Sequence, residues 1–408
     1  MKRVLLLGGG HTHLLVLRAL AQQPLADAEV MLVTPYRELT YSGMVPGLVA
    51  GHYRAAQCRI ALAPLAAAAR VNLVEGHATG LDTAARRVHL ADGRTADYDV
   101  LSLDTGSVQN RDSMPGAREH GLFVRPVERF VELQMRLAEL ARQRPLNVVV
   151  LGGGAAGFEL AMALQHRLQH PLQHCLQPGL QAGLQAGLQP CPEALSEGSR
   201  VALLSGDGEP LAGYPPAVVR AGARALARRR ITVFRERASA LQAGAVVLAS
   251  GARVACDAAV IATGTEPAPW LVGSGLALCE RGFVLTGPTL QSMSHPEVFA
   301  AGDVATRADR PHAKSGVYAV RAGPPLALNL RRFVGGGPLV PYQPQARTLN
   351  LLSCGGRSAI IVWGGVGLGE LPFGRLAWWW KDRIDRNFIA RFSSAGDEAA
   401  TLTRGAGS

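Results

Sequence analysis

The sequence predicts an α/β fold in which one structural unit occurs twice, followed by a small α+β module at the C-terminus. Three observations predict it. Two glycine-rich turns each stand between an apolar strand and a helix, each unit later returns to a strand that ends in Thr-Gly, and the composition changes after about residue 335. Helices that alternate with strands that are apolar almost throughout are typical of parallel sheets covered on both faces.

The first unit starts at the beginning of the chain. Its predicted elements are a strand at 3–7, a glycine turn at 8–10, a helix at 14–22 and a second strand at 30–33. The unit returns at 98–106, where the strand ends in Thr105-Gly106.

The second unit repeats this order. Its predicted elements are a strand at 147–151, a glycine turn at 152–157, a helix at 159–167 and a second strand at 201–204. It returns at 256–264 and ends in Thr263-Gly264. Between 168 and 198 the unit is interrupted by a short Gly-Leu-Gln-Ala repeat with prolines, which predicts a flexible insertion. A longer helix is the alternative, but the glycines disfavour it.

These patterns divide the chain into domains. The predicted divisions are a first domain at 1–112 and 271–334, a connecting segment at 113–145, a second domain at 146–270 and a C-terminal module at 335–408. A chain of 408 residues is expected to form more than one core. Within the C-terminal module, residues 347–363 are predicted to form strands.

Composition excludes several classes of protein. With 48% apolar and 18% charged residues the chain is expected to be globular, and no apolar run reaches the roughly 18 residues of a membrane-spanning helix. The apolar start is interrupted by glycines at residue 8, unlike a signal peptide, so a cytoplasmic protein is expected. Six cysteines without a Cys-x-x-Cys pair predict neither a metal ribbon nor a redox pair close in sequence.

The net charge of +11 is nearly all arginine, because Lys2, Lys314 and Lys381 are the only lysines. Such an excess is compatible with an anionic membrane surface or an anionic cofactor. No nucleic-acid-binding motif accompanies it, so no nucleic-acid partner is expected.

The second glycine turn has the complete pattern for a dinucleotide. Gly152 permits the tight bend, Gly154 the approach of backbone to a diphosphate, and Gly157 close packing of helix on strand. The helix that follows offers free N–H groups to the phosphates. This turn therefore predicts dinucleotide binding.

The first turn departs from that pattern, because Gly8 and Gly10 are followed by His13 in the third position. The His13 ring either contacts the diphosphate or packs locally. The acid that normally holds the ribose is also missing, and Thr34 and Ser205 end the two second strands instead. The choice between NADH and NADPH stays open, as does loss of the nucleotide from the second fold.

A third motif follows an apolar strand at 298–301. Gly302 allows close approach of the backbone to a ligand, and Asp303 is placed to accept hydrogen bonds from the hydroxyls of a sugar alcohol. A helix N-cap is the alternative role for this aspartate. The paired units upstream favour the ligand role.

Together these motifs resemble the pyridine nucleotide–disulfide oxidoreductase superfamily up to about residue 332. The resemblance implies two Rossmann-like dinucleotide-binding domains, one for FAD and one for NADH or NADPH. Gly8, Gly10 and Thr34 would serve the ADP half of FAD, with Thr105 and Gly106 near it, and Gly302 and Asp303 its ribityl chain and diphosphate. Gly152, Gly154, Gly157 and Gly264 would serve the nicotinamide nucleotide.

Within the superfamily, residues 41–51 resemble the type II NADH dehydrogenase and sulfide:quinone oxidoreductase group. Residues 8–13, 41–51, 314–327 and 380–385 resemble a branch fused N-terminally to selenophosphate synthetase, here expected as a stand-alone version. The resemblance implies hydride transfer from NAD(P)H and electron transfer to a quinone-like acceptor. The alternatives are a flavoprotein of selenium or sulfur metabolism, and a flavin-binding module with an inactive second fold.

The resemblance also implies catalytic roles. Lys314 and the helix after it would stabilise negative charge at the flavin, and Glu159 would lie near the nicotinamide. An ordinary surface lysine and a first-turn acid are the alternatives. Met44, Pro46 and Tyr318 are expected either in a quinone route or in the core. Sulfide oxidation would need two cysteines, and only Cys354 is a candidate.

The aromatic and basic tail at 378–392 is the last expected feature. Such a segment lies in a membrane interface, packs on the body of the protein, or forms a homodimer contact.

Overall fold

The computed structural model describes residues 1–170 and 198–405. The predicted insertion at 168–198 lies almost wholly outside the described residues.

The described strands were numbered in chain order. They are β1 Lys2–Leu7, β2 Ala28–Thr34, β3 Glu38–Thr40, β4 Arg59–Ala61, β5 Asn72–Glu75, β6 Ala78–Asp82, β7 Arg87–Leu90, β8 Thr95–Asp97, β9 Val100–Leu103, β10 Gly121–Phe123, β11 Asn147–Leu151, β12 Arg200–Leu204, β13 Thr232–Phe234, β14 Ala238–Gln242, β15 Ala245–Leu248, β16 Arg253–Ala255, β17 Ala258–Ile261, β18 Val284–Thr286, β19 Val298–Ala300, β20 Ala305–Arg307, β21 Leu349–Ser353, β22 Ala359–Trp363 and β23 Val366–Leu368.

The described α-helices were numbered in the same way. They are α1 His11–Gln22, α2 Val45–Val49, α3 Leu62–Ala68, α4 Ala117–His120, α5 Val127–Gln143, α6 Ala155–Gln169, α7 Pro216–Arg228, α8 Gly316–Val334 and α9 Gly374–Gly405.

Two five-stranded parallel sheets of matching topology confirm the predicted repeat. Their strand orders are β19-β9-β1-β2-β5 and β10-β17-β11-β12-β13. Leu7 pairs with Leu103 in the first sheet, and Leu151 with Ile261 in the second, so the two sheets can be compared residue by residue. β10 belongs to the second sheet although it lies in the predicted connecting segment.

Helices α1 and α6 begin earlier than the sequence pattern predicts. Gly10 and Gly154 are their N-caps, both in extended conformation. The residues after each glycine are therefore already helical, which places the free N–H groups of the first turn beside the carboxyl edge of each sheet.

The C-terminal module is a three-stranded antiparallel sheet, β21-β22-β23, and the long helix α9. Leu352, Cys354, Ile360 and Val362 from the sheet join the apolar core of the second fold. Phe388 and Phe392 of α9 join the core of the first. The module therefore contacts both folds.

Candidate functional site

The two glycine turns lie at corresponding places in the two sheets. Each follows the central strand, β1 or β11, whose neighbours β2 and β9, or β12 and β17, come from opposite sides of the strand order. In open parallel sheets, ligands bind at this reversal, outside the carboxyl ends of the strands.

In the first turn, the glycines pack against Asp104. Gly8 has φ +96°, and a Cβ built on it would lie 2.4 Å from the carbonyl oxygen of Asp104. A Cβ on Gly10 would lie 2.5 Å from Asp104 Oδ2, and one on Gly302 2.6 Å from Oδ1. No larger residue fits at these three places without moving backbone or the buried carboxyl.

His13 is fully buried beneath the first turn. Its Nδ1 lies 2.6 Å from the carbonyl oxygen of Gly8, and its Nε2 lies 2.8 Å from the Ser102 hydroxyl. Burial lowers the pKa of His13 to about 4, so the neutral ring donates to Gly8 and accepts from Ser102. The ring takes the packing place, and it would have to leave that place to touch a diphosphate above the turn.

Asp104 closes the N-terminus of α1 from the sheet side. Its Oδ2 accepts a hydrogen bond of 2.8 Å from the backbone N–H of His13, and its residue is 3% exposed. Burial raises the pKa of Asp104 well above its usual range, and the nearby Asp303 carboxylate acts in the same direction.

The open side of the first turn offers polar atoms for a ligand. Thr105 Oγ1 and His11 Nε2 are buried and have no hydrogen-bond partner among the described residues. A Cβ on Gly106 would meet nothing within 4 Å. Unpaired buried polar atoms are costly unless a ligand or water pairs with them. These residues fit the polar diphosphate and ribityl parts of FAD.

Asp303 stands beside these groups, directly after β19 and Gly302. Its Oδ2 accepts from Arg125 Nη2 at 3.0 Å and from the Ser107 hydroxyl at 3.4 Å. Arg125 lies between β10 and α5, so a residue from between the two folds reaches the candidate ligand carboxylate. Thr34 ends β2 and is buried against the turn, where its hydroxyl oxygen would be 3.0 Å from a Cβ on Gly9.

The second turn shows the ordinary use of three glycines. Gly152 has φ +126°, and a Cβ on Gly157 would lie 1.9 Å from the carbonyl oxygen of Gly152. Gly154 and Gly264, by contrast, have nothing within 4 Å of an added Cβ. The first two residues let the helix pack on the strand, and the other two leave the ligand side open.

Lys314 is half-buried rather than an ordinary surface lysine. Its ammonium donates to the carbonyl oxygen of Ala305 and to Thr306 Oγ1, and lies 3.9 Å from the centre of the Phe283 ring. Burial lowers the pKa of Lys314 to about 8. The lysine directly precedes the Ser315 N-cap of α8, whose hydroxyl accepts from the N–H of Val317.

Glu159 lies in different surroundings from Lys314. Its Oε1 accepts from the backbone N–H of Ser353 at 2.8 Å. Burial raises the pKa of Glu159 to about 7, while the positive charge of Lys381 acts in the opposite direction. Lys381 itself donates to the carbonyl oxygen of Gly43 and to Asp385 Oδ2, both at 2.6 Å. The structure thus brings Glu159, Lys381 and the segment at 41–51 together.

Sequence reasoning missed Asp104, Arg125 and Lys381. The rarity of lysine pointed to Lys381 as much as to Lys314, and Asp104 stands where the second unit has Ala262. Nothing in the sequence pointed to Arg125, because its contact with Asp303 joins distant parts of the chain.

The candidates for acceptor chemistry differ in accessibility. Met44 is 1% exposed and packs with Leu48, Tyr53, Cys58 and Val131, and Tyr318 stacks on His312 with ring centres 4.0 Å apart. Cys354 is fully buried, and burial raises the pKa of its thiol. A reactive cysteine needs access and a low pKa, so Cys354 does not suit sulfide oxidation.

Two further searches covered the described part of the chain. No helix there is long and apolar enough to cross a membrane. No group of three or more His, Cys, Asp or Glu side chains there is placed to hold a metal ion.

Comparison with known proteins decides the family. The model of the pyridine nucleotide-disulphide oxidoreductase family matches residues 2–323, more than half of the chain. The chain belongs to this family. The family assignment confirms the predicted α/β oxidoreductase with two dinucleotide-type folds, and it implies use of a flavin and a pyridine nucleotide.

Individual relatives agree with this family. An NADH dehydrogenase-like protein of Mycobacterium tuberculosis is 30% identical over 41% of this chain and 43% of its own. The chain thus spans less than half of that relative. Demethylphylloquinone reductase of Synechocystis is 24% identical over 86% of this chain and 84% of its own. The sulfide:quinone oxidoreductase of Aquifex aeolicus shares the fold, with a TM-score of 0.75 at 16% identity, covering 97% of this chain and 92% of that one.

Proposed function

We propose that the chain is an FAD-dependent NAD(P)H dehydrogenase of the type II kind, which passes electrons to a quinone-like acceptor. One observation carries the proposal. The carboxyl edge of the first sheet gathers Gly10, Gly106 and Asp303 around two buried polar atoms without described partners, Thr105 Oγ1 and His11 Nε2. Bound there, FAD would supply the electron carrier between donor and acceptor.

The residues of the first fold would hold FAD. The N-terminus of α1 attracts a diphosphate through its dipole and free N–H groups. Asp303 would exchange its bond from Arg125 for bonds from the ribityl hydroxyls, and Thr105 would gain a partner. His13 would act indirectly, since its bonds to Gly8 and Ser102 fix the shape of the turn. Lys314 and the N-terminus of α8 would favour negative charge near the flavin.

The residues of the second fold would hold the nucleotide and a proton. Gly154 and Gly264 leave room for the diphosphate of NAD(P)H above the N-terminus of α6. Glu159, with its pKa raised to about 7, would be protonated in about half of the molecules near neutral pH. A carboxyl group in this state can give a proton to a reduced acceptor and regain it from solvent.

A quinone-like acceptor is supported by names of similar proteins. The Synechocystis relative is a demethylphylloquinone reductase, and the Aquifex protein with the same fold is a sulfide:quinone oxidoreductase. The buried Cys354 thiol argues for NAD(P)H rather than sulfide as the donor.

The spectrum of the purified protein tests the proposal. We expect a bound flavin that bleaches when NADH or NADPH is added without oxygen and regains its colour when a soluble quinone follows. Asp303→Ala should weaken FAD binding by about 10- to 100-fold, because it removes hydrogen bonds from a charged acceptor. Asp92→Ala, in an exposed turn of the first domain, is the matched control. A folded protein that takes up no FAD would refute the proposal.

We further propose that a C-terminal apolar surface rests on a membrane, which would supply the quinone. The surface is formed by exposed side chains of the hairpin β22–β23 and the start of α9, namely Trp363, Val366, Leu368, Leu371, Phe373, Leu376, Trp379 and Trp380. The exposed cations Arg375 and Arg383 lie on the same helix. Apolar side chains flanked by cations suit the interface of an anionic bilayer.

Flotation with vesicles of anionic phospholipid tests this surface. We expect the full chain to float, and the combined change Trp379→Ser and Trp380→Ser to reduce vesicle binding about tenfold or more, since two large apolar side chains lose their burial. Val272→Ser, which changes an exposed valine elsewhere, should float like the wild type. A wild type that stays off the vesicles and forms a dimer through these tryptophans would assign the surface to a second copy instead.

A further inference from the structure

The carboxyl end of β12 is the place in the second fold where the ribose of a bound nucleotide would lie. In such folds a carboxylate at this position accepts hydrogen bonds from the two ribose hydroxyls, and that contact favours NADH. Here the position is Ser205, which packs against Gly153 of the glycine turn. Its hydroxyl donates to the carbonyl oxygen of Gly208 at 2.6 Å. Ser205 therefore cannot replace the paired acceptors of a carboxylate.

Two arginines stand beside this position. Arg235 and Arg237 follow β13, the strand that pairs with β12 at the edge of the sheet. Their side chains are 62% and 73% exposed. A Cβ built on Gly206 would lie 3.9 Å from Arg237 Cγ, so the arginine passes over the loop that follows Ser205.

Both arginines are paired with carboxylates of that loop. Arg235 lies 2.8 Å from Glu209, and Arg237 donates to Asp207. The remaining acid, Glu236, accepts from the backbone N–H of Ser250 and so belongs to a separate contact. The local charge is two arginines against two exposed carboxylates.

We propose that Arg235 and Arg237 bind the 2′-phosphate of NADPH, so that the chain prefers NADPH over NADH. The inference rests on the proposed function, because it concerns the donor of the same second fold. Exposed arginine–carboxylate pairs contribute little to stability, whereas arginine binds a phosphate group through short, charge-assisted hydrogen bonds. Exchange of the carboxylates for a doubly charged phosphate is therefore favourable.

The loop permits this exchange. Gly206 has φ +73° and Gly208 follows Asp207, so the acid lies between two glycines, with its side chain 64% exposed. Asp207 can turn into solvent when a phosphate takes its place. NADH carries no group that would displace the acid, and it finds no carboxylate at Ser205.

Binding of two nucleotide fragments tests the inference without turnover. Isothermal titration of the flavin-loaded full chain would compare 2′-phospho-ADP-ribose with ADP-ribose. We expect the phosphorylated fragment to bind at least about tenfold more tightly, an advantage that Arg237→Ala and Arg235→Ala each reduce by about tenfold while ADP-ribose binding stays the same. Arg253→Ala, which removes an exposed arginine from β16, is the matched control.

Two further variants test the charges. Asp207→Asn should strengthen binding of the phosphorylated fragment, because it removes the competing carboxylate. Arg237→Lys should keep part of the preference, since the charge remains without the forked donor geometry.

The outcomes separate the inference from the proposed function. Equal or tighter binding of ADP-ribose would overturn the preference for NADPH and leave an NADH dehydrogenase intact. If a flavin-loaded protein binds neither fragment, both the inference and the nicotinamide donor of the proposed function are wrong.

Discussion

At the scale of single residues, the two folds solve the same packing problem differently. In the second fold, Gly157 lets α6 approach the strand beside Ala262. In the first fold, the equivalent positions are His13 and Asp104, and the buried His13 ring is bonded to Gly8 and Ser102. The missing third glycine is therefore compensated by partners on the adjacent strand, so the first turn keeps the shape that a diphosphate needs.

Restoring the third glycine should damage the first fold. His13→Gly would leave a cavity and two unpaired polar groups, and we expect the free energy of unfolding to fall by about 2–4 kcal/mol. The folded pKa of His13, about 4, lies below the value of 6.5 for a free side chain. The His13 contribution is therefore present above pH 6.5 and lost as pH falls towards 4.

Urea denaturation at several pH values measures both effects. Stability of the variant should depend less on pH between 6.5 and 4 than that of the wild type. His89→Gly, at an exposed histidine of β7, is the control. A His13→Gly protein as stable as the wild type would show that the ring does not support the turn.

At the scale of elements, α9 is more than a cover for the core. Lys381 and Asp385 lie one turn apart on this helix, and Lys381 bonds to the carbonyl oxygen of Gly43 in the segment expected to line the flavin. The same lysine acts on the Glu159 carboxyl of α6. Helix α9 thus places a positive charge where residues of both folds meet.

Removal of that charge should change the pH dependence of turnover. Lys381→Met would leave burial of Glu159 without the opposing cation, so the pKa of Glu159 should rise above about 7 by about one pH unit or more. We expect the inflection in kcat for quinone reduction by NAD(P)H to move to higher pH by that amount.

Two variants control this measurement. Glu159→Gln should abolish the inflection, and Arg383→Met, at an exposed position of the same helix, should leave it unchanged. An inflection that stays at the wild-type pH in Lys381→Met would exclude coupling between the lysine and Glu159.

At the scale of the whole molecule, Gln109 joins the two folds. Its side chain donates to the carbonyl oxygens of Ile261 and Thr263 at 2.9 and 3.0 Å, and accepts from the N–H of Arg125 at 2.8 Å. Val108 and Glu266 form a β-bridge next to it. The segment after β9 is thereby tied to the end of β17, and Arg125 is placed to reach Asp303.

Loss of this connection should weaken both the fold and FAD binding. Gln109→Ala removes three hydrogen bonds, and we expect the free energy of unfolding to fall by about 2–3 kcal/mol. Because Arg125 loses its support, FAD release should also become faster. Guanidinium denaturation and flavin fluorescence would measure the two effects, with Gln143→Ala at the exposed end of α5 as the control. Unchanged stability would show that the contact is dispensable.

The sequence by itself determined the repeated strand–turn–helix units, the glycine turns and the Gly302-Asp303 motif. These features are local, because backbone sterics and hydrophobic periodicity act over a few residues. The early starts of α1 and α6 were not predicted, since a glycine N-cap carries no side-chain signature of its own.

Only the tertiary structure decided which distant residues meet. Arg125 contacts Asp303, Lys381 faces Glu159, and His13 turns inward to Ser102 rather than outward to a ligand. Such pairings depend on the register of whole strands and on the path of α9 across both folds, and a side chain's direction is fixed by the space that its neighbours leave. A linear sequence records the groups that could interact, whereas the packed chain selects the pairs that do.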